Sequence, residues 1–155
     1  MKARFETMSW AEQIRFMKRL HGRLNRGLFG GQLTQPDFSI ESVRLSHDDP
    51  DGLAWGGYRK AVWQNGECVI PRCIAIDHTL VDFISGMRTQ REQFYLLSLV
   101  MLHEMVHQFC DENDIDDQDH NKNFIQAAEK HGLCGNGEGE NSPVLYIISA
   151  GMRIR

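Results

Sequence analysis

Ile14, Met17, Leu20, Leu24 and Leu28 recur at steps of three and four residues, the spacing of a single helix face. Ser9-Trp10-Ala11-Glu12 ahead of them has the form of a capping box and Gly30-Gly31 supplies a stop, so the pattern predicts an amphipathic N-terminal helix. After Pro36 the period falls to two, and Phe38 to Leu45 alternates like a strand. Ser46 to Gly52 is a turn by composition. Leu53 to Trp63 and Glu67 to Ile76 read as two more strands, joined at Asn65-Gly66, a dipeptide that suits a two-residue hairpin turn. Gly56-Gly57 predicts a bulge or a close backbone approach, and Pro71 predicts an edge position or an interruption.

Asp77 to Gly86 reads as a connecting turn of helix, and Thr89 or Gln90 opens a long one. The stretch Tyr95 to Leu102 is apolar almost all round, the mark of a helix buried in a core. From Asp111 to Asp119 come Asp111, Glu112, Asp114, Asp116, Asp117 and Asp119 with no Lys or Arg, and without the glycine and final glutamate of a calcium loop. This segment is expected to be a solvated loop that supplies a supporting carboxylate to a histidine. His120 to Phe124 starts a further helix, with Phe124, Ala127, Ala128 and His131 periodic and Gly132 as its stop. Val144 to Ile148 looks like a last strand. The order of elements indicates an α+β fold with a small three-stranded antiparallel sheet. We expect one domain over residues 1–155, with its core at about 9–132 and a short C-terminal strand segment at 143–155.

Composition changes this picture little, except in where the charge lies. Hydrophobic content of 41% and charged content of 25% are ordinary for a globular chain, and no apolar run is long enough to span a bilayer. A cytoplasmic protein that does not enter membranes is therefore expected. Cys68, Cys73, Cys110 and Cys134 form no Cys-x-x-Cys pair, so no zinc ribbon is encoded; a Cys68–Cys73 bridge is conceivable on a hairpin, but buried free thiols suit a reducing compartment better. The net charge of −4 divides into +5 over residues 1–30, where seven basic side chains face Glu6 and Glu12, and −9 over the rest. Arg15, Lys18, Arg19, Arg23 and Arg26 recur at helical spacing beside the apolar face. They form a stripe that is either a solvated face or a contact for DNA or RNA.

The chemistry concentrates in His103-Glu104-Met105-Val106-His107, inside the apolar run. Residues four apart on a helix lie one above the other, so His103 and His107 present two imidazoles to one point. Glu104 lies roughly 100° further round the axis and flanks that point without ligating it. Two histidines and a glutamate in a buried helix are costly unless paired. Core histidines bonded to their neighbours are the plain alternative to a zinc site.

A hydrolytic zinc site takes three protein ligands and leaves a fourth position open. The metzincin continuation is excluded, because Cys110 and Asn113 stand where that pattern has Gly and His. Glu129, from the later helix, would be a gluzincin-type ligand, and His131 is open to the role but better suited to a helix C-terminus. His120 is the better candidate, since the acidic loop lets the chain turn back and present it from the first turn of the next helix.

Asn25, Leu28-Phe29-Gly30-Gly31, Leu33, the His103 to His107 motif, and His120 followed by Phe124 together resemble the SprT-like metalloprotease family, over about Leu20 to Gly132. The resemblance implies a zincin-like core with one Zn2+ per chain, held by His103, His107 and His120, and Glu104 as general base. It implies an endopeptidase acting on protein or peptide substrates, by family association those bound to DNA in DNA–protein crosslink repair. The rival reading is a non-catalytic, zinc-stabilised module that binds nucleic acid or protein. Glu104 speaks against it, because a structural site has no use for a base and is usually closed by a fourth ligand.

Overall fold

The computed structural model describes residues 3–43 and 55–133. The expected loop at 46–52 and the C-terminal strand at 144–148 lie outside the described residues, as does Cys134.

Helix α1 spans Trp10–Leu28 and begins at a reciprocal capping box, in which Ser9 Oγ accepts from the Glu12 amide at 3.2 Å and the Glu12 carboxylate accepts from the Ser9 amide at 3.3 Å. It turns Met17, Leu20, His21 and Leu24 into the core. Gly30 and Gly31, at φ of 63° and 74°, end it in the left-handed region that glycine enters without penalty. Asn25 then ties the exit, donating to the Leu33 carbonyl at 2.9 Å and accepting from the Leu33 amide at 3.1 Å.

The sheet differs from the expected three-stranded antiparallel arrangement. Five strands form, β1 (Asp37–Glu41), β2 (Gly56–Arg59), β3 (Val62–Gln64), β4 (Glu67–Ile70) and β5 (Cys73–Asp77). Three of them make a mixed sheet in the order β1-β5-β2, with β1 parallel and β2 antiparallel to β5. Strands β3 and β4 pair only with each other among the described residues, as a hairpin whose Asn65 and Gly66 have φ of 52° and 78°. Pro71 is the physical reason for the break after β4, because it has no N–H to continue a ladder. Every residue of β5 is buried, and a strand covered on both faces takes the middle of a sheet.

Helix α2 (His78–Ser85) is capped by Asp77, whose carboxylate accepts from the Thr79 amide at 2.8 Å and also from the Val43 amide at 2.5 Å. Helix α3 (Gln90–Glu112) starts at a second reciprocal capping box, Thr89 with Glu92. It runs through the core with fifteen residues between Gln93 and Cys110 buried. Helix α4 (Lys122–Lys130) packs on it, with the Asn121 side chain accepting from the Asn123 and Phe124 amides at 3.0 and 3.2 Å. This is the expected α+β class. No helix among the described residues is long and apolar enough to cross a membrane. Cys68, Cys73 and Cys110 are free thiols, and Cys68 is exposed rather than buried.

Candidate metal centre

Helix α3 carries His103 and His107 one turn apart, and the chain beyond it returns to meet them. The return is not made by the first turn of α4, as the sequence suggests, but by a separate 3-10 turn at Gln118–His120. Asp119 and His120 both lie in the left-handed region, at φ of 53° and 51°, a conformation that costs an L-residue roughly 1–2 kcal/mol. Side-chain bonds hold the turn in place. Asn121 and Asn123 each donate to the Asp116 carbonyl at 3.0 Å, and the Asp116 carboxylate accepts from the Gln118 amide at 3.0 Å.

The result is a convergence of three imidazoles. His120 Nε2 lies 3.2 Å from His103 Nε2 and 3.1 Å from His107 Nε2, and one ligand atom from each residue falls within 4.8 Å of the others. These residues lie close enough to bind a metal ion. On the far side of His107, Nδ1 lies 2.6 Å from the Asp117 carboxylate, an acceptor that favours the tautomer with the proton on Nδ1 and the Nε2 lone pair aimed at the centre. His120 Nε2 carries one proton at most and so directs a hydrogen bond to only one of its two neighbours, which leaves one close nitrogen pair poorly satisfied. A cation resolves that conflict. Tetrahedral coordination at ~2.0–2.1 Å separates ligand nitrogens by about 3.3–3.4 Å, near the two separations measured from His120 Nε2, so three imidazoles so placed are compatible with a tetrahedral ion such as zinc.

Phe124 forms an apolar wall against the triad, its ring centroid 5.0, 4.5 and 4.7 Å from those of His103, His107 and His120. Burial holds His103 well below the ordinary histidine range, helped by its two imidazole neighbours, and pushes His120 down to about 4. Both are thus kept neutral, the form that ligates metal. Burial is the largest influence on Asp117 and works to raise it, but the hydrogen bond to His107, the His107 charge, a backbone amide and Lys60 together outweigh it and leave the carboxylate below its ordinary value. His103 Nδ1 is buried with no hydrogen-bond partner among the described residues.

Glu104 is buried next to His103, and burial pushes its carboxyl up to about 7 against the pull of His107. Strand β2 passes so close that a Cβ on Gly56 would lie 3.0 Å from Glu104 Oε1, 2.9 Å from Val100 Cγ1 and 3.2 Å from the Ala75 carbonyl. Of the two readings of Gly56-Gly57, the close approach is the one realised. Glu129 is exposed, and the His131 ring stacks on Phe29 with Nδ1 2.9 Å from the Leu28 carbonyl; neither joins the triad.

Several supporting groups escaped the sequence reading. His21 Nε2 lies 2.9 Å from Gln108 Oε1, and the Gln108 amide donates to the Thr34 carbonyl at 2.6 Å, tying α1 to α3 beside His107. Tyr58 donates to the Asp111 carboxylate at 2.6 Å, and Arg72 pairs with Glu112 at 3.0 Å. The only signal for the first of these was polarity, since a Gln in a buried helix requires a partner.

The basic stripe lies elsewhere. Arg15, Lys18, Arg19, Arg23 and Arg26 are all exposed, and none joins an ion pair among the described residues. Arg23 sits 5.7 Å over the Phe94 ring. A cavity of about 680 Å³ between α1 and the start of α3 is lined by Phe5, Phe16, Phe94, Arg19, Arg23 and Arg91. None of the three converging histidines borders it.

No protein-family model, curated protein or solved structure matches this chain.

Proposed function

We propose that the protein is a zinc-dependent endopeptidase with a zincin-like core, of the SprT-like kind that its motifs resemble. The observation that carries this reading is the meeting of three imidazoles from His103, His107 and His120 beside a buried Glu104. A purely structural zinc site does not call for such a carboxylate.

Zinc held by these residues would supply Lewis acidity, lowering the pKa of a water towards about 7 and polarising a substrate carbonyl. Glu104 would accept the water proton on a carboxylate oxygen as the bond to the carbonyl carbon forms, and deliver it to the leaving amine. A base with pKa near neutrality suits both halves of that transfer. Asp117 would orient His107 through Nδ1, and Phe124 would keep water from the far side of the triad. The outer edge of β2, unpaired among the described residues, would hold an extended substrate by strand addition next to Glu104.

Nucleic acid is the second partner we propose, carried by the five exposed cations of α1 and the aromatic cleft beside Arg19, Arg23 and Arg91. Repeated phosphates would follow the cations while bases stack on the rings.

Elemental analysis of protein purified without added metal tests the site, with one zinc per chain expected. Cleavage of an unfolded protein substrate tests the activity. Glu104→Gln should retain zinc and lose activity by on the order of 10²-fold or more, since Gln is nearly isosteric and cannot take the proton. If zinc survived His120→Ala and was lost in Glu129→Ala, the ligand set would be wrong. Wild-type protein with full zinc and no peptidase activity would favour the binding-module reading.

A further inference from the structure

Strands β3 and β4 form a hairpin that has no buried residue of its own. Every residue of both strands is exposed, including Val62 at 42%, Trp63 at 62%, Val69 at 46% and Ile70 at 57%. An isolated two-stranded hairpin is marginal in water, and apolar side chains left uncovered on it mark a contact surface. Natural sheet edges are usually guarded by charge, yet from Ala61 to Pro71 the only charged residue is Glu67.

The hairpin's base is fixed beside the metal centre. Only Lys60 and Ala61 separate β2 from β3, and only Pro71 and Arg72 separate β4 from β5. Those junctions are tied to the end of α3: Tyr58 donates to Asp111 at 2.6 Å, Lys60 Nζ lies 4.0 Å from Asp111, and Arg72 pairs with Glu112 at 3.0 Å. Asp111 stands one helical turn beyond His107. The β2 edge that passes Glu104 therefore leads within two residues into the apolar arm.

We propose that the β3–β4 hairpin grips an extended, uncharged, apolar segment of the substrate polypeptide, through Trp63, Ile70 and their neighbours, while the adjoining segment lies along β2. The identity of the occupant rests on the peptidase reading above. The near-neutral arm does not suit a polyanion, and its position next to β2 makes it an extension of a peptide-binding edge. The substrates favoured would be unfolded chains that expose hydrophobic stretches.

The test measures binding apart from cleavage. Zinc-loaded Glu104→Gln protein is titrated into a fluorescein-labelled unstructured peptide containing Val-Leu-Phe-Val, and into a counterpart with Ser-Gly-Ser-Gly in its place. The apolar peptide should bind more tightly, by on the order of tenfold, and adding Trp63→Ser and Ile70→Ser should abolish the difference while leaving zinc content unchanged. Equal affinity for both peptides, or an apolar preference that survives the two substitutions, overturns the proposal. So does a dimer in sedimentation velocity that those substitutions dissociate without altering peptide affinity, because the arm would then be covered by a second copy. If the preference holds while wild-type protein cleaves neither peptide nor an unfolded protein, the arm stands as a binding surface and the peptidase reading falls.

Discussion

The Asp117 carboxylate holds His107 Nδ1 at 2.6 Å, turning the opposite ring nitrogen toward His103 and His120. A partner of this kind fixes both tautomer and ring angle, and removing one typically costs 10–100-fold in metal affinity. Asp117→Ala should therefore weaken zinc binding by roughly that factor in a competition titration with a chelator. Asp116→Ala or Asp119→Ala, made in the same loop without touching His107, should change it less.

The metal-free protein should lose stability as pH falls below about 6.5. Burial depresses His21, His103, His120 and His131 below their ordinary value of 6.5, so below that pH the unfolded chain takes up protons that the folded chain refuses. Glu104 has the opposite sign. Its raised carboxyl keeps a proton in the folded state between 4.5 and about 7, and that contribution is lost as pH rises through about 7. Four groups oppose one, so the melting temperature of chelator-treated protein should fall from pH 7 to pH 5, and fall more steeply in Glu104→Gln. A flat profile would mean that the histidines are not buried neutral.

Gly56→Ala should act on catalysis through geometry. The new methyl would meet Val100, Glu104 and the Ala75 carbonyl, of which the backbone group cannot turn aside. Overpacking of this kind costs about 1–3 kcal/mol, and here it would also displace Glu104, the base of the proposed reaction. Gly57→Ala meets only the Val43 side chain, at 2.9 Å. Thermal melts and kcat/KM measured together should show activity falling further than stability predicts in the first variant and not in the second.

Charge reversal of Arg15, Arg19, Arg23 and Arg26 should flatten the salt dependence of single-strand binding, whose log-log slope is roughly −0.7 per phosphate neutralised. Zinc content should not change, because these side chains point away from the core. Equal affinity of wild type and variant for single-stranded DNA at low salt would remove nucleic acid from the account.

Helix boundaries were legible because capping is local: Ser9 with Glu12 and Thr89 with Glu92 lie within one turn of each other and close as the spacing requires. The His103 and His107 pair was legible for the same reason. Sheet order was not, since alternation says which residues face the core and nothing of which strand lies beside which. The parallel pairing of Phe38 with Ile74 joins segments 36 positions apart, and only the full burial of β5 decides it. Asp117 was foreseen as a kind of residue rather than as a position, because six acids in nine residues offer no way to choose among them. The turn carrying His120 was hidden too, since two consecutive left-handed residues that are not glycine leave no mark in composition.

That turn also sets how the centre would fill and empty. Two of the three histidines ride on a rigid helix, while the third sits on a short strap tethered by Asn121 and Asn123 to the Asp116 carbonyl. An incoming ion would land on the helix pair first and become fully enclosed only as the strap closes, and departure would begin with the strap lifting. Metal exchange would thus follow the opening rate of a few loop hydrogen bonds, far faster than global unfolding.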